Sequence, residues 1–171
     1  ADGMVAGASF SSADTLRPAL QIIKQKDDVD IVSSFFIMET KDRKLGEDGV
    51  FIFSDCGLVK DPNAKQLCDI AISSAESFKS LVKKEPKVAF LSFSTKGSAK
   101  CESADKINEA MNILNSKNVC FDYDGELQLD AAIIKEVASL KARKSSVAGS
   151  ANVLIFPNLD AGNIGYKIAQ R

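Results

Sequence analysis

The run Asn152–Phe156, NVLIF, followed at once by Pro157, constrains this chain more than any other stretch. It is short, apolar and contains β-branched residues, the composition of a strand buried on both faces. Strands of that kind belong to sheets covered by helices, so an α/β fold with a mostly parallel sheet is expected. Pro157 has no N–H to give a ladder and ends the strand. Asn158, Asp160, Gly162, Asn163 and Gly165 then crowd the next positions with turn and cap chemistry. Tyr166, Ile168 and Ala169 resume a helical spacing. In open α/β sheets, ligands bind beyond the carboxyl ends of strands, and a helix start favours an anion. Glycines that merely serve packing in an ordinary strand-to-helix connection explain the same pattern.

The rest of the chain supports that class. Asp30–Glu39 and Val50–Ser54 read as strands, and the charged segment Lys41–Gly49 between them, with Gly46 and Gly49, predicts a hairpin with a long exposed loop. Pro62-Asn63 opens an amphipathic helix with Leu67, Ile70, Ala71, Ser74, Phe78, Leu81 and Val82 on one face, Cys68 beside them and Pro86 beyond its end. Lys87–Phe93 is a further buried strand. Ser94–Lys100 follows it as a hydroxyl- and glycine-rich loop with Lys96 and Lys100, able to hold a phosphate through N–H groups, hydroxyls and an ammonium. The GxxxxGK[ST] order of a P-loop is absent. Asp105–Asn115 predicts a helix with Ile107, Ala110, Met111 and Leu114 inward, and Val119–Tyr123 a strand. Asp124, Glu126 and Asp130 then gather three carboxylates at that strand's end, open to metal binding or general acid/base work. Capping of a helix over Ala131–Leu140 is the simpler role for Asp130.

Near the start, Ser9, Ser11, Ser12, Asp14 or Thr15 can cap a helix containing Leu16, Leu20, Ile22 and Ile23. Proline is tolerated in a first helical turn, which puts Pro18 there and Arg17 near the helix start. An arginine so placed can bind an anion bidentately or simply face solvent.

Charge and residue usage narrow the function. A formal net charge of −1 gives no electrostatic case for nucleic acid or an anionic membrane as partner. No apolar run approaches the roughly 20 residues of a membrane span. The chain has no histidine, which removes every mechanism using imidazole as base. Cys56, Cys68, Cys101 and Cys120 are widely spaced, so a zinc site is not expected, and free thiols point to the cytoplasm. The chain opens on ADGMVAG and stops at Gln170-Arg171 within a helical pattern, as expected of an internal piece of a longer protein, whether cut by a protease or by design.

Five strings in order carry a more specific signal: ADGMVAGA at 1–8, ADTLRPALQIIK at 13–24, FLSFSTKGSAK at 90–100, DGELQLDAA at 124–132 and NVLIFPNLDAGNIGYKIAQR at 152–171. Together they resemble the central part of the phosphate acetyltransferase (phosphotransacetylase) family, nearly end to end. The resemblance implies a three-layer α/β sandwich of the isocitrate dehydrogenase-like kind, with residues 1–28 a remnant of a first domain and 29–171 a second α/β domain. It implies reversible acetyl transfer between acetyl phosphate and coenzyme A, in a cytoplasmic homodimer. Coenzyme A is then a substrate, phosphate the other product, and no metal or tightly bound cofactor is expected. Arg17 matches an arginine implicated at the family's active site, and Ser12 a hydroxyl residue of the same loop. Phe10 stands where the family often has histidine. Ser94, Thr95, Lys96 and Gly97, and a loop carrying Gly162, Asn163 and Gly165, are expected as substrate-binding cleft walls. The family's NDLSRG-type segment, with the aspartate proposed to take the thiol proton, is not in this sequence, so the chain alone is expected to be inactive. A non-catalytic ligand-binding or assembly module of the same fold is the alternative, and a butyryl-transferring relative a weaker neighbour.

Overall fold

A computed structural model describes residues 3–25 and 31–171. Asp30, the expected first strand residue, and the opening Ala1-Asp2 lie outside the described residues, as does the expected domain boundary at 28/29. The chain divides into two units, Ala1–Val32 and Ser33–Arg171.

The first unit holds one described helix, α1 (Ser12–Ile22). Ser11 caps it, its hydroxyl oxygen accepting from the Asp14 N–H at 3.2 Å and donating to the Asp14 carboxylate at 2.6 Å. Because this cap starts the helix early, Pro18 sits in the interior rather than the first turn, and Arg17 is mid-helix rather than at the start. Pro18 thereby removes the hydrogen bond that the Asp14 carbonyl would otherwise accept.

The second unit is built on a five-stranded sheet in the order β1-β2-β5-β3-β4. β1 (Phe35–Glu39) pairs antiparallel with β2 (Val50–Ser54), from Phe35 opposite Ser54 to Glu39 opposite Val50. β5 (Val153–Ile155) lies between β2 and β3 (Lys87–Leu91), parallel to both, and β4 (Asp122–Leu127) runs parallel to β3 at the edge. The hairpin and the parallel centre are those expected from the sequence.

Alternation along the strands sorts the core. Phe51, Phe53, Ala89, Leu91 and Leu154 face one side, with Ala132 and Val147. On that side lie α4 (Leu129–Ile133) and α6 (Leu159–Gln170), which contributes Ala161 and Tyr166. Ile52, Val88, Phe90, Val153 and Ile155 alternate with them and are equally buried. α2 (Ala64–Val82) packs on α3 (Glu102–Lys117), and Ile107 and Met111 of α3 approach Phe90 across Gly125. α2 opens with a capping box: Asn63 accepts from the Gln66 N–H and Gln66 accepts from the Asn63 N–H, each at 2.9 Å. Leu67, Cys68, Ile70, Ala71 and Phe78 on its inner face are fully buried, whereas Leu81 is exposed at the last turn, against expectation.

Three further boundaries differ from the sequence reading. β3 stops at Leu91, and Phe93 faces solvent. β4 begins at Asp122 and runs through Asp124, Gly125 and Glu126, so only Asp122 and Tyr123 of the expected Val119–Tyr123 belong to the strand. Asp124, Gly125 and Glu126 have poor strand propensity, but side chains from a neighbouring loop satisfy both carboxylates, and tertiary pairing decides. The helix expected over Ala131–Leu140 is broken at Ile134, whose backbone is extended, into α4 and α5 (Lys135–Lys141). The carbonyls of Ala131 and Ala132 accept from the N–H groups of Gly149 and Ala151 instead of from a continuing helix.

Candidate functional site

The loop after β3 is tied to β4 by a set of side-chain bonds centred on Glu126. The Glu126 carboxylate is buried and accepts from the Ser94 hydroxyl at 2.8 Å and the Gly97 N–H at 2.7 Å. Burial pushes its pKa up, but hydrogen bonds from the Gly97 N–H, Ser94, its own N–H and Asn108 together hold it below the usual carboxylate range. Ser94 accepts in turn from the Ala99 N–H at 3.0 Å. Thr95 accepts from the Gln128 N–H at 2.9 Å and donates to the Gln128 side chain at 3.3 Å. The Ser94 and Thr95 hydroxyls therefore face inward and hold the loop.

Lys96 and Gly97 form the outward part of the same loop. Lys96 adopts φ 51° and Gly97 φ 80°, a left-handed pair that turns the chain and aims the Gly97 N–H at Glu126. The Lys96 ammonium pairs with the Asp124 carboxylate and donates to the Gly125 carbonyl at 2.8 Å. Of the three carboxylates expected at a strand end, Asp124 and Glu126 lie within β4, bound to this loop. Asp130 is separate: it accepts from the Ala131 N–H and from Lys141, whose hydrogen bond holds it below the usual range. Among the described residues no group of three or more His, Cys, Asp or Glu side chains is arranged to hold a metal ion.

The other expected loop is helix. α6 starts at Leu159, with the Asn158 side chain accepting from the Ala161 N–H at 2.9 Å, so Gly162, Asn163 and Gly165 are helical rather than loop residues. The reason is close packing. A Cβ on Gly162 would lie 2.5 Å from the Asp55 carbonyl oxygen and 3.0 Å from Cys56 Sγ, and one on Gly165 2.9 Å from the Phe156 ring. Asn163 donates to the Cys56 carbonyl at 3.3 Å. Beneath them the buried Asp55 carboxylate accepts from the N–H groups of Ser34, Gly57 and Leu58 and from the Ser34 hydroxyl. Burial, reinforced by Asp55, raises the Cys56 thiol to about 12, so it is protonated at neutral pH and inert.

The residues leading into α2 (Asp61, Pro62 and its cap Asn63), the start of α3 and the α6 cap Asn158 surround one cleft of about 390 Å³ just past the carboxyl ends of the parallel strands. Lys106 spans it, donating to Asp61 at 2.7 Å and to the Pro157 carbonyl at 3.2 Å. This is the place where open α/β sheets hold ligands. Sequence reasoning missed Lys106 and Asn158 as members of one cleft. The signal was available in the strand-to-helix order, since each parallel strand delivers its next helix to the same edge.

In the first unit, Arg17 is exposed, 3.4 Å from Asp14. Ser12 is the first residue of α1 and Phe10 precedes its cap; both are exposed.

Comparison with known proteins gives a consistent result. A family model described as "Phosphate acetyl/butaryl transferase" matches residues 1–171. Phosphate acetyltransferase of Thermoanaerobacterium thermosaccharolyticum is 58% identical over 173 residues, covering 100% of this chain and 52% of that protein. That of Bacillus subtilis is 50% identical over 171 residues, covering 100% and 51%. The crystal structure of a phosphotransacetylase from Streptococcus pyogenes superposes with a TM-score of 0.91 at 49% identity, covering all of this chain and 50% of that one. The chain spans about half the length of the curated relatives it matches.

Proposed function

Because the chain belongs to the phosphate acetyl/butaryl transferase family, we propose that it is part of an enzyme that moves an acetyl group reversibly between coenzyme A and phosphate. The end-to-end match to phosphate acetyltransferases, at 58% identity, is the observation that carries this reading. In the forward step the coenzyme A sulfur attacks the carbonyl carbon of acetyl phosphate. A C–S bond forms, the C–O bond to phosphate breaks, phosphate departs with that electron pair and the thiol proton passes to a base.

Each part of the chain has a share in this scheme. Arg17 contacts the phosphoryl group or the coenzyme through its fork of N–H donors, and Ser12, the first residue of α1, contributes a hydroxyl to substrate binding. Lys96 and the backbone at Gly97 present a cation and an amide turn to an anionic substrate, and Ser94 and Thr95 hold that turn in place. Gly162, Asn163 and Gly165 set the start of α6 against Cys56 and Phe156, fixing one wall of the cleft past the strands. The base lies in a segment of the NDLSRG type, absent from this sequence; a positioned base contributes roughly 10²–10⁴ in rate. On the same reading residues 29–171 are the second domain of an isocitrate dehydrogenase-like three-layer enzyme, and residues 1–28 are a remnant of the first. The whole enzyme is a cytoplasmic homodimer that needs no metal or tightly bound cofactor.

The test is thioester formation from acetyl phosphate and coenzyme A. The chain alone should show little turnover. Grafted in place of the matching half of the Bacillus subtilis enzyme, it should restore turnover, and Arg17→Ala in that graft should lower kcat/KM by roughly a hundredfold. A folded graft without activity overturns the reading. Clear turnover by the chain alone overturns the placement of the base.

A further inference from the structure

Beside the edge strand β4 lies a second cleft, of about 560 Å³. Its lining is strongly basic: Lys96, Lys141, Arg143 and Lys144 against one carboxylate, Asp124, in a chain whose formal net charge is −1. Ser145 and Ser146 add two hydroxyls. Asp124 pairs with Ala89 of β3, which puts it on the face of the sheet that α4 covers. Tyr123 pairs with Val88, and its hydroxyl donates to the Asn115 side chain on α3, so its ring lies on the opposite face. Among the described residues the cleft therefore meets a ligand with charge and hydroxyls and with no aromatic platform.

The four cations are not equivalent. Lys96 is held by Asp124 and the Gly125 carbonyl, and Lys141 by Gln128 at 2.8 Å and Asp130 at 3.0 Å. Both are fixed in position with part of their charge already answered. Arg143 uses only its Nε, which donates to the Ser139 carbonyl at 2.8 Å, so its guanidinium is anchored while the two terminal nitrogens stay unengaged among the described residues. Lys144 has no ion-pair partner among them either. A turn after α5 carries both, with the Ser145 N–H donating to the Ala142 carbonyl at 3.0 Å. The Ser145 hydroxyl oxygen accepts from the N–H groups of Val147 at 3.2 Å and Ala148 at 2.9 Å, which leaves its O–H to donate. An oriented arginine fork beside an unpaired ammonium and a hydroxyl recognises an oxyanion. Arg143 alone answers a single negative charge; a multivalent anion also engages Lys144 and the charge that Lys96 and Lys141 have left over. The volume lies within the roughly 300–1,000 Å³ of small-molecule sites.

We propose that this cleft binds a compact multivalent oxyanion, held by Arg143 and Lys144 with Lys96 and Lys141 as the opposite bank of charge. Two sources share that chemistry: a condensed inorganic phosphate and a polycarboxylate. The occupant competes with Asp124 for Lys96. It also competes with Asp130 for Lys141, which shares the Gln128 side-chain oxygen with the Thr95 hydroxyl. Occupancy is thereby felt in the loop after β3, at Thr95 and Lys96. The proposal stands on the cleft itself and does not require the acetyl-transfer reading.

Titration calorimetry on this chain with pyrophosphate, citrate and orthophosphate tests it. Pyrophosphate or citrate should bind saturably, one per chain, and more tightly than orthophosphate. The tighter of the two names the source, condensed phosphate or polycarboxylate, and either order supports the shared chemistry. The double variant Arg143→Ala, Lys144→Ala, at exposed turn positions and checked for an unchanged circular dichroism spectrum, should weaken that anion roughly tenfold or more, as expected for the loss of two charged donors. Asp124→Asn removes the one carboxylate of the lining and frees Lys96, so it should tighten the anion severalfold, a gain that misfolding cannot mimic. Added salt should weaken binding in the wild type more than in the double variant. Equal affinity in wild type and double variant, orthophosphate binding as tightly as the larger anions, no gain in a folded Asp124→Asn variant, or no saturable binding of any of the three overturns the proposal. Coenzyme A that binds more tightly than that anion, and loses its binding in the double variant, overturns it too by making the cleft part of the acetyl-transfer site. Failure of these tests with an active graft leaves the acetyl-transfer reading untouched.

Discussion

Residues 94–99 and 158–166 look alike as sequence and behave oppositely as structure. Each follows a buried strand of the parallel sheet, and each mixes glycine with polar side chains. The first is an irregular loop whose shape is set by side chains reaching across to β4. The second is a helix whose shape is set by backbone bonds and whose glycines let it approach Asp55, Cys56 and Phe156. Gly97 is needed for its φ of 80°, with nothing within 4 Å of where a Cβ would stand. Gly162 is needed for space, in ordinary helical backbone. A glycine in a sequence thus marks either an unusual dihedral or a close approach, and composition does not say which.

The difference is largest at Gly162. An alanine there gains up to about 1 kcal/mol of helix propensity. It also places a methyl group 2.5 Å from a backbone oxygen, and that oxygen cannot swing aside as a side chain end can. The clash should win, with Gly162→Ala losing about 1–3 kcal/mol, read as a lower denaturant midpoint at unchanged slope. The same variant should loosen α6 over Cys56. In the wild type, a thiol reagent near pH 8 should modify exposed Cys120 and spare Cys56, which is buried and raised to about 12. Gly162→Ala should bring Cys56 into reaction. Wild-type stability in this variant would mean that α6 does not depend on the close approach.

The loop is broken from β4's side. Glu126→Ala removes the acceptor for the Ser94 hydroxyl and the Gly97 N–H, and each buried donor left alone costs about 1–3 kcal/mol where water cannot reach it. With partial rescue by water, a net loss near 2 kcal/mol is expected, and Glu126→Gln, which keeps an acceptor oxygen, should lose less. The wild type also carries a pH signature. Glu126 has a folded pKa below its ordinary value of 4.5, so the unfolded chain binds the proton first as pH falls. Its contribution is therefore complete above about pH 4.5 and is lost as pH drops through the lower folded value. Unfolding curves from pH 5.5 downward should show a steeper fall in the wild type than in Glu126→Gln. Equal slopes would detach Glu126 from the loop's stability.

These contrasts also mark what the sequence makes legible. Continuous apolar runs located the strands around Leu154, Phe90 and Phe53, because a strand buried on both faces must be apolar along its length. The Asn63 cap could be read because its partner Gln66 is three residues away, and capping is local chemistry. β4 could not be read, since Asp124 and Glu126 become acceptable strand residues only when Lys96, Ser94 and Gly97 arrive from about 30 residues upstream. Pro18 misled because the rule for proline is a preference: a strong cap at Ser11 starts the helix early enough to leave proline inside. The basic cleft escaped for a different reason. Arg143 and Lys144 form an unremarkable charged pair in sequence, and only the fold sets Lys96 and Lys141 beside them.

The smallest expected effect separates dihedral from space within the loop itself. At Gly97 an alanine meets no atom, so its cost is the left-handed backbone alone, about 1 kcal/mol for a residue with a Cβ. Asparagine enters that region more readily than alanine, so Gly97→Asn should be the milder change, by a few tenths of a kcal/mol. At Gly162 the order should reverse, because asparagine is larger than alanine and a worse helix former. Measuring both substitutions at both sites by denaturant unfolding gives a two-by-two test in which stability has no overall ranking of the residues, only a ranking by site. If alanine were better than asparagine at both positions, side-chain volume or propensity alone would explain the data. The two stretches would then differ in secondary structure but not in why they contain glycine.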